Sequence, residues 1–575
     1  MQNAVGPLDW AVIALYMTGV VGIGCYAGFV RRRGGGEGSH YFLAGNTLTW
    51  PIIGLAMFAA NISTVHLVSL AEAAYKYGLV FGNFEWMAGF TLILLSLFFA
   101  PLYLRSRVPT LPDFLERRFN RPCRDVLAVV SLFSAIVIHI GIALYTAAWV
   151  LRGIMGMQPG ATIFGIDALM VFIIVLGVLT GIYTMIGGLL AVVWTESIQT
   201  ILLLAGAIVI TVAAYLKIGG WQVLAQTLAT HVHPLAGTAA DIPASSANFL
   251  NMARDSSDLS GLPWYSILLG YPVLGIWYWC ADQTIVQRVL AARDETQARL
   301  GPLFCAFLKI LPVFFFVLPG TICVALVQSN AFHGEGPKVA ADTYTFLITH
   351  LLPTGLKGLV TAAMLAAAMQ TCSAALNSTA TLFAYDIFKR WRPHTADHQL
   401  VVIGKITTVV ATILAIVWSP LLSHYNTIYD GLVRLVSYVS PPITAVFVIG
   451  VFWRKASSKG ALFTLITGGI AGALLFVLDF FGKSLGAYSP LIEAIRQYTV
   501  KDFMLTAFNL CIVCCVGFII ASRLTPEPLK DEAKPLVWES WREPLKAPAG
   551  GLITDYRVYS AAVLLTFAVL YVAFR

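Results

Sequence analysis

Three ionisable residues stand inside stretches that are otherwise apolar: Glu85 between Phe84 and Trp86, Lys309 within CAFLKILPVFF, and Arg434 beside Val433. If these stretches cross a bilayer, each charge costs at least roughly 2.5–3.5 kcal/mol and persists only through a partner or a function. Lys309 has no neighbour in sequence to neutralise it, so an ion pair with Glu85 is the expected solution. Such a pair either glues two helices together or presents a donor and an acceptor to a ligand rich in hydroxyls. Chemistry of the bond-making kind has no comparable signal. No nucleophile with a base, no phosphate loop and no metal-ligand spacing falls in a loop where a reaction would take place.

The elements that must position these residues are membrane spans. Of 575 residues, 58% are hydrophobic and 11% charged, and the mean hydropathy is +0.79. Soluble domains carry roughly 45–50% apolar and about 25% charged residues. A net charge of +8 raises nucleic acid as a partner, but the basic residues form short clusters between apolar runs rather than one stripe. The nine cysteines (Cys25, Cys123, Cys280, Cys305, Cys323, Cys372, Cys511, Cys514, Cys515) lie in or beside apolar segments. That placement argues against a disulfide framework and against a metal site at Cys511 and Cys514. The start, MQNAVGPLDW, lacks a basic leader, and the first apolar stretch is expected to stay as a helix.

Apolar runs predict fourteen spans, near residues 8–30, 48–72, 78–104, 125–151, 161–185, 188–216, 263–290, 300–328, 355–388, 399–419, 425–452, 459–481, 502–523 and 556–574. Arg31 to Arg33, Arg105 and Arg107, Arg117 to Arg124, Arg288 to Arg299, Lys389 to Arg392, Arg454 to Lys459 and the segment Arg523 to Arg557 fall in alternate loops. By the positive-inside rule these loops are cytoplasmic and both termini face outward. The longest outer loop, about 217–262, and the longest inner one, about 524–555, are too short for an enzymatic domain of ordinary size. Function therefore rests with the helices.

Two spans carry interruptions. AANIS, Ala59 to Ser63, breaks the second with Asn61 and Ser63, and GYPVLG, Gly270 to Gly275, places Pro272 between glycines in the seventh. Irregular backbone at membrane depth is tolerated where it lines a cavity, and paired breaks in two halves mark a midplane binding site of an inverted-repeat transporter.

The stretches YFLAGNTLTWP, AANIS, FEWMAG, LPDFLERRF, GGLLAVVWTESIQT, YWCADQTIVQRVLAA, LNSTATLFAYDIF and SPPITAVFVIG follow one another along nearly the whole chain. In this the chain resembles the sodium:solute symporter family, and within it the sodium/glucose cotransporters. The resemblance implies an all-α membrane protein with a LeuT-type core of two inverted five-helix repeats. Residues 48–216 and 263–452 would form the repeats, joined by the outer loop 217–262. A leading helix with its basic loop (1–47) and three trailing helices (453–575) would complete the fold.

The same resemblance implies a sodium site between the second and ninth spans, from the carbonyls of Ala59, Ile62 and Ala367. Where the family has two adjacent serines, this chain has Gln370 and Thr371; both still offer oxygen to a hard cation. At a second sodium position Ala374 stands in place of a serine and Glu196 in place of an aspartate, so one ion per substrate is expected. A sugar or polyol would meet Asn61, His66, Glu85 and Lys309 through hydrogen bonds, and the rings of Tyr278 and Trp279 through their faces. The family's sugar-contacting glutamine of the eleventh span is Val433 here. Arg434 and His139 are thus candidates for selectivity, facing a carboxylate of an acidic sugar, with a helix neighbour as the alternative partner of Arg434. The expected activity is sodium-coupled import of a sugar or polyol by alternating access, without an organic cofactor, a nucleic acid or an obligate protein partner. The rival readings are proton coupling through Glu196 or Glu85, transport of an acidic sugar, and a sensor that binds without moving its ligand.

Overall fold

A computed structural model describes residues 6–30, 46–62, 64–157, 160–230, 249–256, 258, 260–338, 340–424, 428–486, 490–491, 493–495, 502–546, 551 and 554–575. Ser63 and residues 231–248 of the outer loop lie outside them, as do Arg31 to Arg33 and the side chain of Glu196. Helices dominate because backbone polar groups in lipid must be satisfied within their own segment. They run α1 (Pro7–Val30), α2 (Trp50–Asn61), α3 (Thr64–Tyr77), α4 (Asn83–Leu94), α5 (Leu111–Arg118), α6 (Arg121–Ser134), α7 (Ile142–Ile154), α8 (Ala168–Ile218) and α9 (Trp221–Thr230) in the first half. The second half holds α10 (Trp264–Ile276), α11 (Gln283–Leu290), α12 (Glu295–Leu308), α13 (Leu318–Gln328), α14 (Thr343–Leu351), α15 (Leu356–Leu382), α16 (Asp397–Trp418) and α17 (Ile428–Phe452). Then follow α18 (Ser458–Gly486), α19 (Phe503–Leu524) and α20 (Tyr556–Ala573).

Among the described residues, 11 runs are long and apolar enough to cross a bilayer, and Pro7–Val20 and Trp50–Asn61 are shorter apolar helices. The expected first span is α1, a helix of 24 residues of which Pro7–Val20 is the described apolar part; the second is divided into α2 and α3, and the seventh into α10 and α11. The fifth and sixth spans are one hydrogen-bonded helix: α8 continues through 51 residues with no break near 185–188. At 1.5 Å per residue it would extend roughly 76 Å if straight, more than twice a bilayer core. Its two ends, Ala168–Met185 and Ile201–Ile218, each hold a full apolar window. The expected start at 161 is a small hairpin instead, Thr162–Ile163 paired with Ile166–Asp167, and Asp167 caps α8.

The break in the second span falls where the sequence places it. Ile62 gives the last hydrogen bond of α2 to the Phe58 carbonyl and turns extended (φ −72, ψ 110) before α3 begins. The seventh-span break does not fall at GYPVLG. α10 runs through Pro272, a π turn follows over Trp277–Ala281, and the extended residue is Asp282 (φ −88, ψ 123). Pro272 removes one donor but leaves the rest of the ladder, whereas the Asp282 carboxylate accepts the Thr284 amide at 2.7 Å and so starts a new helix. The start of the second span and the end of the seventh are tied by main chain: Leu48 N–H donates to the Ala291 carbonyl at 3.1 Å and Arg293 N–H to that of Leu48 at 3.0 Å.

α15 is rich in alanine and other small or apolar residues and is buried along nearly its whole length, with Lys357, Gln370 and Asn377 among its buried side chains. Both of its ends are pinned. Buried Asp9 of α1 accepts the Gly355 and Gly358 amides at 2.6 and 2.8 Å, the place where a carboxylate favours a helix start. Beyond the other end, Asp386 accepts Arg124 Nε at 2.8 Å and the Thr110 hydroxyl at 2.9 Å. By contrast α16 and α19 expose Val402, Ile406, Val409, Ile413, Val513 and Val516, apolar faces suited to lipid.

Small residues set the closest helix approach. A Cβ on Gly320 of α13 would lie 2.2 Å from the Ala71 carbonyl oxygen of α3. Main chain cannot swing aside as a side chain can, so Gly320→Ala is expected to force the two helices apart at a cost of about 1–3 kcal/mol. Thermal unfolding of the detergent-solubilised protein measures this, and an unchanged midpoint would show that the contact is not tight.

Candidate functional site

The two breaks meet through side chains. Asn61, the last residue of α2, donates from Nδ2 to the Tyr278 hydroxyl at 3.1 Å, joining the second span to the π turn of the seventh. Its Oδ1 accepts from Lys309 Nζ, and the same ammonium donates to Glu85 Oε2. Lys309 and Glu85 are 1% and 2% exposed, so neither charge is diluted by water. An ammonium has three donors and two are engaged here. Glu85 Oε1 takes no bond from the described residues, which leaves one donor and one acceptor of opposite character side by side.

Each of these residues has a local reason for its position. Lys309 is the first residue beyond α12, its amide bonded to the Cys305 carbonyl. Glu85 lies in the first turn of α4, held by Trp86, whose ring meets Tyr571 edge-on at 5.3 Å and Phe574 at 5.8 Å. The π turn rotates Tyr278 and Trp279 out of helical register, with their rings edge to face at 5.1 Å. Lys309 Nζ stands 5.4 Å from the centroid of Trp279, within reach of a cation–π contact. A second π turn, Ala135–Gly141, carries His139 between α6 and α7. His139 Nε2 lies 3.1 Å from Asp282 Oδ2, the capping residue of the second break.

These side chains surround a cavity with about 920 Å³ of space free of atoms, its mouth included. Asn61, His66, Glu85, Tyr278, Trp279 and Lys309 all line it, as do His139, Val433 and Thr371. Arg434 does not. Its guanidinium turns to the neighbouring helix, where Nη1 bonds Asp479 Oδ1 at 3.0 Å, and the Tyr438 hydroxyl donates to Asp479 Oδ2 at 3.1 Å. The partner sits 45 residues away on α18, beyond the reach of any local pattern. Sequence reasoning also passed over Phe84, Tyr271 and Trp277 on the cavity wall. It missed Asp282 as well, although Asp followed two residues later by Thr is a recognisable helix start.

Beside the cavity, the end of α2 meets α15. The Thr371 hydroxyl lies 3.5 Å from the Ala60 carbonyl and 3.4 Å from that of Ala367. Ala59, Ile62, Ala367 and Gln370 are fully buried beside this contact. Thr64 Oγ1 bonds the Met364 carbonyl at 2.7 Å and holds the start of α3 to α15. The last carbonyls of a helix have no partner within it. The arrangement therefore gathers hard oxygen atoms where two helices cross. Ala374, also fully buried, brings no oxygen in its side chain.

The sodium:solute symporter family profile matches residues 41–468. The chain is 32% identical over 565 residues to the sodium/mannose cotransporter SLC5A10 of Bos taurus, covering 96% of this chain and 92% of that one. It is 35% identical over 497 residues to the sodium/glucose cotransporter 2 of Rattus norvegicus, covering 83% and 72%. It is 30% identical over 561 residues to the sodium/myo-inositol cotransporter 2 of Oryctolagus cuniculus, covering 95% and 81%. In fold it is similar to a solved Na+-coupled sialic acid symporter in a substrate-bound outward-open state, with a TM-score of 0.69 and 21% identity over 91% of this chain and 99% of that chain. On this evidence the chain, a multi-pass membrane protein and a transporter rather than an enzyme, belongs to the sodium:solute symporter family.

Proposed function

We propose that this chain imports a neutral sugar or polyol together with sodium by alternating access. The observation that carries the reading is the Lys309 bridge. One ammonium ties Asn61 of the broken helix to Glu85, and the pair borders a cavity also lined by the rings of Tyr278 and Trp279. Hydroxyls both donate and accept, so a polyol fits the free donor and acceptor of the pair, while ring faces cover the apolar face of a pyranose. Hydrogen bonds to charged groups contribute about 1.5–3 kcal/mol each. The relatives named for mannose, glucose and myo-inositol, all polyhydroxylated and uncharged, support the same class.

Electrostatics argue for a neutral solute over an acidic one. The charges of Lys309 and Glu85 offset each other, His139 faces Asp282, and Arg434 is committed to Asp479 outside the cavity. A carboxylate entering the cavity would lose its hydration without gaining an unpaired cation.

For sodium, the carbonyls at the end of α2, the Ala367 carbonyl and the Thr371 hydroxyl offer the oxygen donors a hard ion takes. Gln370, buried on α15, is the further candidate, and with Ala374 bringing no ligand we assign one ion per solute. Because Asn61 ends the half-helix whose carbonyls would hold the ion, cation binding and solute binding bias the same break. The cation then favours the outward-open form and raises solute affinity by linkage. By the positive-inside rule we assign the basic loops to the inner face and both termini to the outer one.

Uptake into proteoliposomes tests this reading. Labelled glucose, mannose, galactose and myo-inositol are offered under an inward sodium gradient, with potassium as control. Accumulation of at least one solute only with sodium is expected; accumulation indifferent to sodium contradicts the coupling. Thr371→Ala is expected to raise the sodium concentration for half-maximal uptake about tenfold or more while leaving the solute panel unchanged. Glu85→Gln is expected to weaken solute binding by a similar factor with sodium dependence retained. A Thr371→Ala variant with unaltered sodium dependence would refute the placement of the ion.

A further inference from the structure

Beyond the polar network, part of the cavity lining consists of side chains that form no hydrogen bond. Val65 of α3, Ile138 and Ile142 around the π turn before α7, and Leu432 and Val436 of α17 all belong to it. Val65, Ile138 and Ile142 are buried in one hydrophobic cluster on which Leu432 and Val436 pack, and Val436 packs as well on a second cluster, in which Val433 is buried. The aromatic wall, with Tyr271, Trp277 and Trp279 buried and Phe84 and Tyr278 packed on them, belongs to that second cluster. Val433 and Val436 of α17 thus stand where the aliphatic and the aromatic linings of the cavity meet. On α17 the spacing 432, 433, 436 puts Val433 on the same helical face, so every side chain this helix gives to the cavity is aliphatic. Of the polar groups that line the same cavity, His139 Nε2 meets Asp282, and the Thr371 hydroxyl lies within reach of two carbonyls.

A fully hydroxylated hexose seated on Lys309 and Glu85 would press at least one hydroxyl against this aliphatic wall and strip it of water with nothing in return. A methyl group at the same place loses no hydrogen bond and buries apolar surface. We infer that the cavity is built for a deoxy sugar, a 6-deoxyhexose whose methyl group lies against Val65, Ile138, Ile142, Leu432, Val433 and Val436. Of the monodeoxy hexoses, the 6-deoxy compounds are the ones that present a methyl group rather than a bare ring carbon, and this favours that position. The inference rests on the sugar reading given above and narrows it.

Equilibrium binding by calorimetry on the purified protein in sodium buffer provides the test, with glucose, galactose and mannose each compared with its 6-deoxy counterpart. At least one 6-deoxy sugar is expected to bind about tenfold more tightly than its parent. Val433→Thr and Val436→Thr keep the shape of the side chain and add a hydroxyl, and at least one is expected to narrow that ratio to about twofold. Retained binding of the parent hexose shows that each variant is folded. If every parent binds as tightly as its 6-deoxy form, the inference is overturned while the sugar reading stands. A preference that survives both Thr variants overturns the assignment of the wall. If neither parents nor deoxy sugars bind, the sugar reading falls, and the inference with it.

Discussion

A buried ammonium in a membrane protein must find a negative charge, and the position of Lys309 imposes this requirement on everything around it. At 1% exposure it has no water to share its charge. It meets Glu85 from the third span and Asn61 from the end of the broken second one. Removing either partner of such a pair costs about 3–5 kcal/mol, because the other charge is left buried and alone. The pair therefore fixes α4, α12 and the end of α2 relative to one another. It does so with hydrogen-bonding capacity left over, and this distinguishes a binding site from a structural staple.

The two interrupted spans gain a common purpose from this anchor. α2 ends at Asn61, and Asn61 reaches across to Tyr278 in the π turn that precedes the second interruption. The start of the second span and the end of the seventh are joined by the main-chain bonds of Leu48 with Ala291 and Arg293. α15, held at one end by Asp9 and at the other by Arg124 and Thr110, is the fixed post beside them. Thr371 and Thr64 touch across that boundary. A cation bound there would grip the moving and the fixed parts at once, the condition for a ligand to shift an equilibrium between two conformations.

The fold was legible to the extent that it follows from solvent. A bilayer demands long apolar helices, and the composition announced them; Asn61 and Ser63 in an apolar run announced the first break. The Glu85 and Lys309 pair was legible because two isolated charges of opposite sign leave few alternatives. What was not legible depended on partners distant in sequence or on backbone detail. Pro272 looks like a break, but one lost hydrogen bond inside a long helix does not end it, while the capping carboxylate of Asp282 does start a new segment. Arg434 looked available to a ligand until Asp479 of another helix claimed it. The π turns that aim His139, Tyr278 and Trp279 have no residue signature, and the aliphatic wall appears only when α3, α7 and α17 are brought together. Family resemblance alone pointed to the end of α2 and to α15 as the ion-binding elements, and the hydrogen bond of Thr371 to the Ala60 carbonyl across them has no signal in the sequence.

The central claim is that one broken helix couples a cation to a solute, and reciprocity tests it most directly. Calorimetry on the purified protein would give solute affinity with and without sodium, and sodium affinity with and without solute. The account predicts that sodium tightens solute binding and that solute tightens sodium binding by the same factor. Solute affinity unchanged on replacing sodium by choline would contradict it.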